Sequence, residues 1–333
     1  MIEILHPVAD RARIDAVLDA GHHLVDGWST ALDELTALCA LAGDPGAFDP
    51  HDLDASSRYV VYPWRRRVVR LPDAGLFLRL RTTRNRYLIT DEEQDRWSSS
   101  TIAVAGLSVG GSVLHTCALT GARRFVITDP DTLGPSNLNR LSGSVCDLGE
   151  PKAVLAARRI LELDPYSEIT VVEGGYRPDG EFLAGGPDVV LEEMDDLRRK
   201  LELRVEARRR GIPVVMVTDD GDGVMVDVER FDLEPDRPLL HGRVEALLAA
   251  GPESLDDPAR RVEIAGAIVG DDVADRMRYS LGQVGRTIGS WPQLGTAATL
   301  AGAVGAALAR RIVIGDDVPS GRAHVRLEDL ALR

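Results

Sequence analysis

The residues with the clearest chemical capacity begin with Gly106-Leu107-Ser108-Val109-Gly110-Gly111, set between an apolar run that reads as a strand and one that reads as a helix. Such a turn lets backbone N–H groups approach a phosphate at the start of the helix. Ser108 stands where a GxGxxG pattern would carry its middle glycine. Roughly 20 residues further on, the run RRFVITDPD ends a second strand in Asp129 and Asp131, where a carboxylate would hold ribose hydroxyls. Together these features indicate a nucleotide and leave NAD and ATP both open. The next stretch separates them. Ser136-Asn137-Leu138-Asn139-Arg140 and Gly149-Glu150-Pro151-Lys152 follow in order, and Asp195 comes later. A hydride-transferring enzyme has no use for cations placed this way. An enzyme that attacks the α-phosphate of ATP must neutralise the triphosphate and the leaving pyrophosphate with fixed positive groups. Only Lys152 and Lys200 among the 39 basic residues are lysines, so Lys152 reads as a position that needs a compact, rotatable ammonium.

This order of motifs resembles the ThiF/MoeB/HesA superfamily of ubiquitin-activating-like adenylyltransferases, over about residues 84–230 and 290–333. The resemblance implies ATP and Mg²⁺ as cofactors. Gly106, Ser108, Gly110 and Gly111 would form the phosphate turn, with Asp129 on the ribose and Asp131 beside it. Asn137, Asn139, Arg140 and Lys152 would line the phosphates, and Asp195 would hold the Mg²⁺. Arg84-Asn85-Arg86 is similar to the signature in which an arginine crosses a homodimer to the partner's ATP, a role that would fall to Arg86. The whole chain also resembles the first part of an actinobacterial group in which such a domain precedes a nitroreductase-like domain, so a nitroreductase-like partner is an expectation. There are departures. Family members that carry the acyl group on their own cysteine hold it after the strand matching IPVVMVT, and many bind zinc with two CxxC pairs; Cys39, Cys117 and Cys146 fit neither pattern. Thr218-Asp219-Asp220-Gly221 also replaces small neutral residues that the family often places near the incoming substrate tail.

The elements that must position these residues read as an α/β, Rossmann-like, doubly wound and mainly parallel sheet with helices on both faces, because strands and helices alternate from residue 100 to 219. A small α+β unit is expected over residues 1–80, with two helices flanking an extended piece, a GDPGAFDP break, and a strand pair in RYVVYPWRRRVVRL. The adenylation domain is expected over 81–333, with 240–290 as a helical crossover or lid. GDGVMVDVERFDLEP reads as a strand pair, Pro292 to Ile314 as a long helix, and HVRLEDLAL as a closing strand. Glu192 and Glu193 read as acids at a sheet end. A hydrophobic content of 44% with only 5% aromatics fits a core of Ala, Val, Leu and Ile. The net charge of −14 argues against a broad grip on nucleic acid. No run reads as a membrane span, and the acidic N-terminus lacks a secretory pattern, so a cytoplasmic protein is expected. The function read is ATP-dependent adenylation of a carboxylate, from a small carrier protein, a peptide or a small acid, with no enzyme thioester. A catalytically weak partner-binding scaffold is the alternative, and an NAD-dependent oxidoreductase is a weaker third.

Overall fold

The computed structural model describes residues 2–41, 55–178, 180–245 and 258–329. The chain divides into two compact units, residues 1–91 with 161–166, and residues 92–160 with 167–333.

In the first unit, β1 (Glu3–Leu5), β2 (His23–Asp26), β3 (Ser57–Tyr62) and β4 (Arg67–Pro72) form a four-stranded sheet of order β1-β3-β4-β2. The expected strand pair is β3 and β4, antiparallel from Ser57 opposite Pro72 to Tyr62 opposite Arg67. Their connection turns at Pro63 and at Arg66, whose φ is +50°. Within the arginine run, Arg65 reaches Glu162 at 2.8 Å. The expected helices are α1 (Arg11–Asp19) and α2 (Gly27–Cys39), on either side of β2. Asp26 caps α2 by accepting from the Trp28 N–H. The sequence reading missed β1 and α3 (Ala74–Thr82), the former too short to show a period. The GDPGAFDP break lies outside the described residues.

The second unit opens with the end of α4 (Asp91–Ser99), whose Trp97 is fully buried. Then come β5 (Thr101–Ala105), α5 (Val109–Leu119), β6 (Arg124–Thr128), α6 (Lys152–Leu163), β7 (Glu168–Val172), β8 (Val189–Glu192), α7 (Leu197–Arg210), β9 (Val214–Asp220) and β10 (Gly223–Glu229). After these come α8 (Pro258–Val269), α9 (Asp275–Leu281), α10 (Gly295–Ile314) and β11 (Gly321–Val325). The sheet order is β11-β10-β9-β8-β5-β6-β7. The five strands from β7 to β9 are parallel, so the chain winds outward from β5 in both directions. Helices cover both faces. Ala103, Val190 and Met216 pack with Leu201 and Ala207 of α7 and Ile264 of α8. On the opposite face, Gly305 of α10 lies against Val113 of α5 and Val217 of β9.

Two strand expectations need correction. GVMVDVE is a single strand, β10, paired with β9 on one side and β11 on the other, because the turn falls at Gly221-Asp222, ahead of the apolar run. The closing strand is Gly321–Val325, three residues earlier than read, and Leu327–Asp329 is a 3₁₀ turn. Within 240–290, α8 and α9 supply the expected short helices, and residues 246–257 lie outside the described part. By length and composition α10 is apolar enough to cross a membrane, with a mean hydropathy of 1.5. Its small residues instead fit it to α5: a Cβ at Gly302 would stand 2.9 Å from the Ser112 carbonyl oxygen.

Glu192 is not an ordinary acid at the end of a sheet. It is fully buried, accepts from Lys200 Nζ at 2.8 Å and from Arg204, and Arg204 in turn reaches Glu229 at 2.7 Å. Burial would raise the Glu192 carboxyl, but the Lys200 and Arg204 charges outweigh it and hold the group below its ordinary value. Two acids and two bases thus balance inside the α7 layer. Losing one member of such a set costs about 3–5 kcal/mol, because a partner charge stays buried.

Candidate functional site

In doubly wound sheets the crevice opens past the carboxyl ends of the strands where the winding reverses, which here means between β5 and β8. Gly106 leaves β5 with φ +86°, and a Cβ there would stand 2.5 Å from the Glu193 carbonyl oxygen. Gly110 meets Val104 and Glu193 side-chain atoms at 3.1–3.2 Å from its would-be Cβ. Both glycines are therefore required by close approach, whereas Gly111 makes only ordinary contact with Leu141. Sequence reasoning gave Glu193 no role in this turn. Its backbone braces the turn, its carboxyl accepts the Val217 N–H at 2.9 Å, and burial pushes that carboxyl well above its ordinary value.

Ser108 occupies the N-cap of α5 without making a side-chain cap bond. Its Oγ instead accepts from Arg140 Nε at 2.9 Å. The N–H groups of the first helical turn, which lack partners within the helix, therefore face forward beside a guanidinium. Arg140 also donates to the Ser136 carbonyl oxygen at 3.1 Å and to Asn139 Oδ1 at 2.8 Å. Burial pulls the guanidinium down from its ordinary value, and the charges of Asp219 and Asp195 oppose that.

Asp129 ends β6 with one oxygen on the Leu107 N–H at 2.6 Å and the other on the Asp131 N–H at 2.8 Å. Burial raises its carboxyl, with the Leu107 N–H and the Lys152 charge acting against the rise. A short antiparallel pairing delivers Lys152. Leu133 N–H donates to the Glu150 carbonyl oxygen, and Lys152 N–H to that of Asp131, at 2.9 and 3.0 Å. Gly149 allows this with φ +88°. Lys152 Nζ then reaches Asp131 at 2.8 Å and Asp129 at 3.9 Å, itself only 8% exposed.

Asn137 turns inward, its Oδ1 accepting the Gly134 N–H at 2.8 Å, and so shapes its loop. Asn139 Nδ2 donates to the Gln293 carbonyl oxygen at 2.8 Å. Asp195 is exposed just past β8, and it is Asp196 that caps α7 by accepting the Arg199 N–H. That leaves the Asp195 carboxylate uncommitted to the helix. Among the described residues no three His, Cys, Asp or Glu side chains form a metal cluster, and Mg²⁺ shared between one carboxylate and phosphate oxygens needs none. Arg86 belongs to the first unit, where it stacks on Tyr87 at 5.8 Å and reaches Asp91 at 3.4 Å.

Asp219, noted in the sequence only as a departure, is the group hardest to account for by folding alone. It is 1% exposed, and among the described residues neither of its carboxylate oxygens has a well-aligned hydrogen-bond partner. The Gln293 side chain lies close enough to act as a weak donor that lowers the carboxyl. Burial, with the nearby Asp195 charge adding to it and Arg140 opposing, pushes its carboxyl up to about 7. A buried polar group left without a partner costs about 1–3 kcal/mol. Of the free thiols, Cys117 is buried and Cys146 exposed.

The ThiF family matches residues 82–318. An uncharacterized protein of Mycobacterium tuberculosis is 37% identical over 321 residues, covering 96% of this chain and 43% of that protein. The tRNA threonylcarbamoyladenosine dehydratase of Escherichia coli is 32% identical over 130 residues, 38% of this chain and 48% of the enzyme. The chain thus spans less than half the length of either. The crystal structure of that dehydratase, TcdA, in complex with AMP superposes with a TM-score of 0.54 at 18% identity, covering 73% of this chain and 96% of TcdA. Escherichia coli MccB with MccA-N7isoASN gives a TM-score of 0.51 at 13% identity, covering 72% and 64%. These two likenesses establish a shared fold. With the family match running over more than two thirds of the chain, and a 37%-identical relative along nearly all of it, this protein belongs to the ThiF family.

Proposed function

We propose that the chain binds ATP with Mg²⁺ across the Gly106–Gly111 turn and transfers AMP to a carboxylate, releasing pyrophosphate. One observation carries this reading: two cations from separate segments, Arg140 and Lys152, converge on the open N-terminus of α5 and on Asp129. The TcdA structure holds AMP, which supports a nucleotide in this fold. A substrate carboxylate oxygen attacks the α-phosphorus, the bond to the bridging oxygen breaks, and its electron pair leaves with pyrophosphate. Arg140 has only neutral hydrogen-bond partners, so its charge is available to the phosphates. Lys152 is tied to the exposed Asp131 and can swing its ammonium onto them. Asp129, anchored by two backbone amides, keeps lone pairs for the ribose hydroxyls. Mg²⁺, held by Asp195, would supply further neutralisation of the leaving pyrophosphate.

The acyl group comes from a carrier protein, a peptide or a small acid, and it leaves the adenylate without passing through an enzyme thioester. Arg86 serves the site of a second copy, so the working form is a homodimer. Calorimetry tests the nucleotide reading: Mg²⁺-dependent ATP binding should weaken at least about tenfold in Lys152→Ala, as expected for losing a charge-assisted hydrogen bond of about 1.5–3 kcal/mol. Equal affinity for NAD, or no loss in the variant, overturns it.

A further inference from the structure

Asp219 needs a reason outside the chain. A carboxylate this deeply buried with no well-aligned donor on either oxygen is rare in folded proteins, where such groups are almost always paired. Among the described residues the cation that faces it, Arg140, is hydrogen-bonded instead to the neutral Ser108, Ser136 and Asn139. Asp195 repels it, and the Asp219 charge in turn raises the Glu193 carboxyl.

Its place along the sheet indicates the ligand. Asp129 follows β6, Gly106 follows β5, Asp195 follows β8 and Asp219 lies at the end of β9, in the spatial order β6-β5-β8-β9. Neighbouring strands stand ~4.8 Å apart, so three gaps carry Asp219 about 14 Å along the sheet edge from Asp129. With ribose at Asp129 and phosphates over the α5 N-terminus, Asp219 lies beyond the phosphates, on the side where the acyl substrate enters. This placement rests on the adenylation reading above.

A bare carboxylate substrate finds like charge there, whereas a substrate with an N–H group close to its carboxyl finds acceptors that the Gln293 side chain can yield. We propose that Asp219 selects carboxylates that carry an N–H donor on the adjacent carbon, either the ammonium of an amino acid or the last amide of a peptide. Asp219 is thus a specificity residue on the acyl side of the site. The segment covering it is pinned by Trp291 Nε1 donating to the Asp219 carbonyl oxygen at 3.2 Å and by Asn139 Nδ2 donating to that of Gln293. The incoming donor displaces the Gln293 side chain from beside the carboxyl.

Three non-hydrolysable acyl-adenylate mimics test this by calorimetry on the full chain: glycyl-, N-acetylglycyl- and acetyl-sulfamoyl adenosine. The glycyl or the N-acetylglycyl compound should bind about tenfold or more tightly than the acetyl one, a difference of about 1.4 kcal/mol or more, and which of the two leads tells ammonium from peptide amide. In Asp219→Ala the preference should shrink to within about twofold, with Mg²⁺·ATP affinity unchanged. Equal binding of all three by the parent protein, or a preference that survives in the variant, overturns the proposal. So does a loss confined to Mg²⁺-dependent ATP binding, which makes Asp219 a metal ligand instead. If neither ATP nor any mimic binds, the adenylation reading itself has failed. If ATP and the acetyl mimic bind well but without discrimination, only the role of Asp219 has.

Discussion

Replacing Asp219 by Asn should stabilise the second unit at neutral pH and leave it nearly unchanged in acid. The carboxyl goes from an ordinary value of 3.8 to about 7 in the folded protein. The folded state therefore holds its proton more tightly than the unfolded state. Between pH 4 and 7 the native protein binds more protons than the unfolded chain, so its stability falls as pH rises. Roughly three pH units at ~1.36 kcal/mol each set an upper figure of about 4 kcal/mol for the destabilisation, absent below pH 4 and fully developed above pH 7. Asn has the same shape and cannot ionise. The stability difference, variant minus parent, should be flat in acid, climb through pH 4–7 and level off. Any penalty for the added amide N–H₂ is a constant offset that the slope ignores. Glu193, whose carboxyl is raised partly by the Asp219 charge, contributes with the same sign. Urea unfolding followed by the fluorescence of Trp97, buried in this unit, at half-unit steps from pH 4.5 to 8 gives the curve. A difference independent of pH would mean that Asp219 has a donor in the free protein, and the idea of an unused acceptor would fall with it.

Gly106→Ala should destabilise the second unit by more than about 2 kcal/mol in the same unfolding measurement, since a left-handed φ costs a side chain about 1–2 kcal/mol before the contact with the Glu193 carbonyl is counted. Mixing Arg86→Ala with Lys152→Ala subunits should restore part of the activity that each lacks, because one hybrid site then has both residues; no recovery on mixing argues against an arginine supplied by the partner. A chain with Cys39→Ser, Cys117→Ala and Cys146→Ser should keep substrate-dependent pyrophosphate release, alanine being used where the thiol is fully buried. Loss of turnover in that folded variant, or a reductant-sensitive enzyme–substrate adduct by mass spectrometry, would restore a thioester route.

The parallel half of the sheet was legible because each strand is a short apolar run closed by Gly, Asp or Pro and followed by a helical period. The antiparallel half was less so. β10 carries Asp227 and Glu229 in fully buried positions, and their partners are Arg322, His241 and Arg204, as far as 95 residues away along the chain. No local pattern announces such pairings. The candidate site divides in the same way. Gly106, Asp129 and Lys152 stand in motifs visible along the chain, although the contacts that fix them run between motifs: Asp129 accepts the Leu107 N–H, and the Lys152 N–H donates to the Asp131 carbonyl oxygen. Asn137 carries the right type at the right spacing, yet its side chain closes its own loop. Glu193 braces the turn from a different strand, which spacing along the chain cannot express.

Two departures from the expected pattern become one arrangement once Arg140 is placed. A serine in the middle of the glycine turn, read alone, crowds a phosphate site or supplies an ordinary helix cap. Ser108 does not cap: its hydroxyl holds Arg140, so the guanidinium stands beside the α5 N–H groups and adds a full charge to the partial positive charge of the helix terminus. Among the described residues the same guanidinium is the cation that faces Asp219. With glycine at position 108, Arg140 would keep its bonds to Ser136 and Asn139 but lose the one from Nε, which could then turn to Asp219 and use up an acceptor proposed for the substrate. On the proposed reading the serine and the aspartate therefore depend on each other: Ser108 would keep Arg140 directed to phosphate, and Asp219 would stay open because Arg140 is held away.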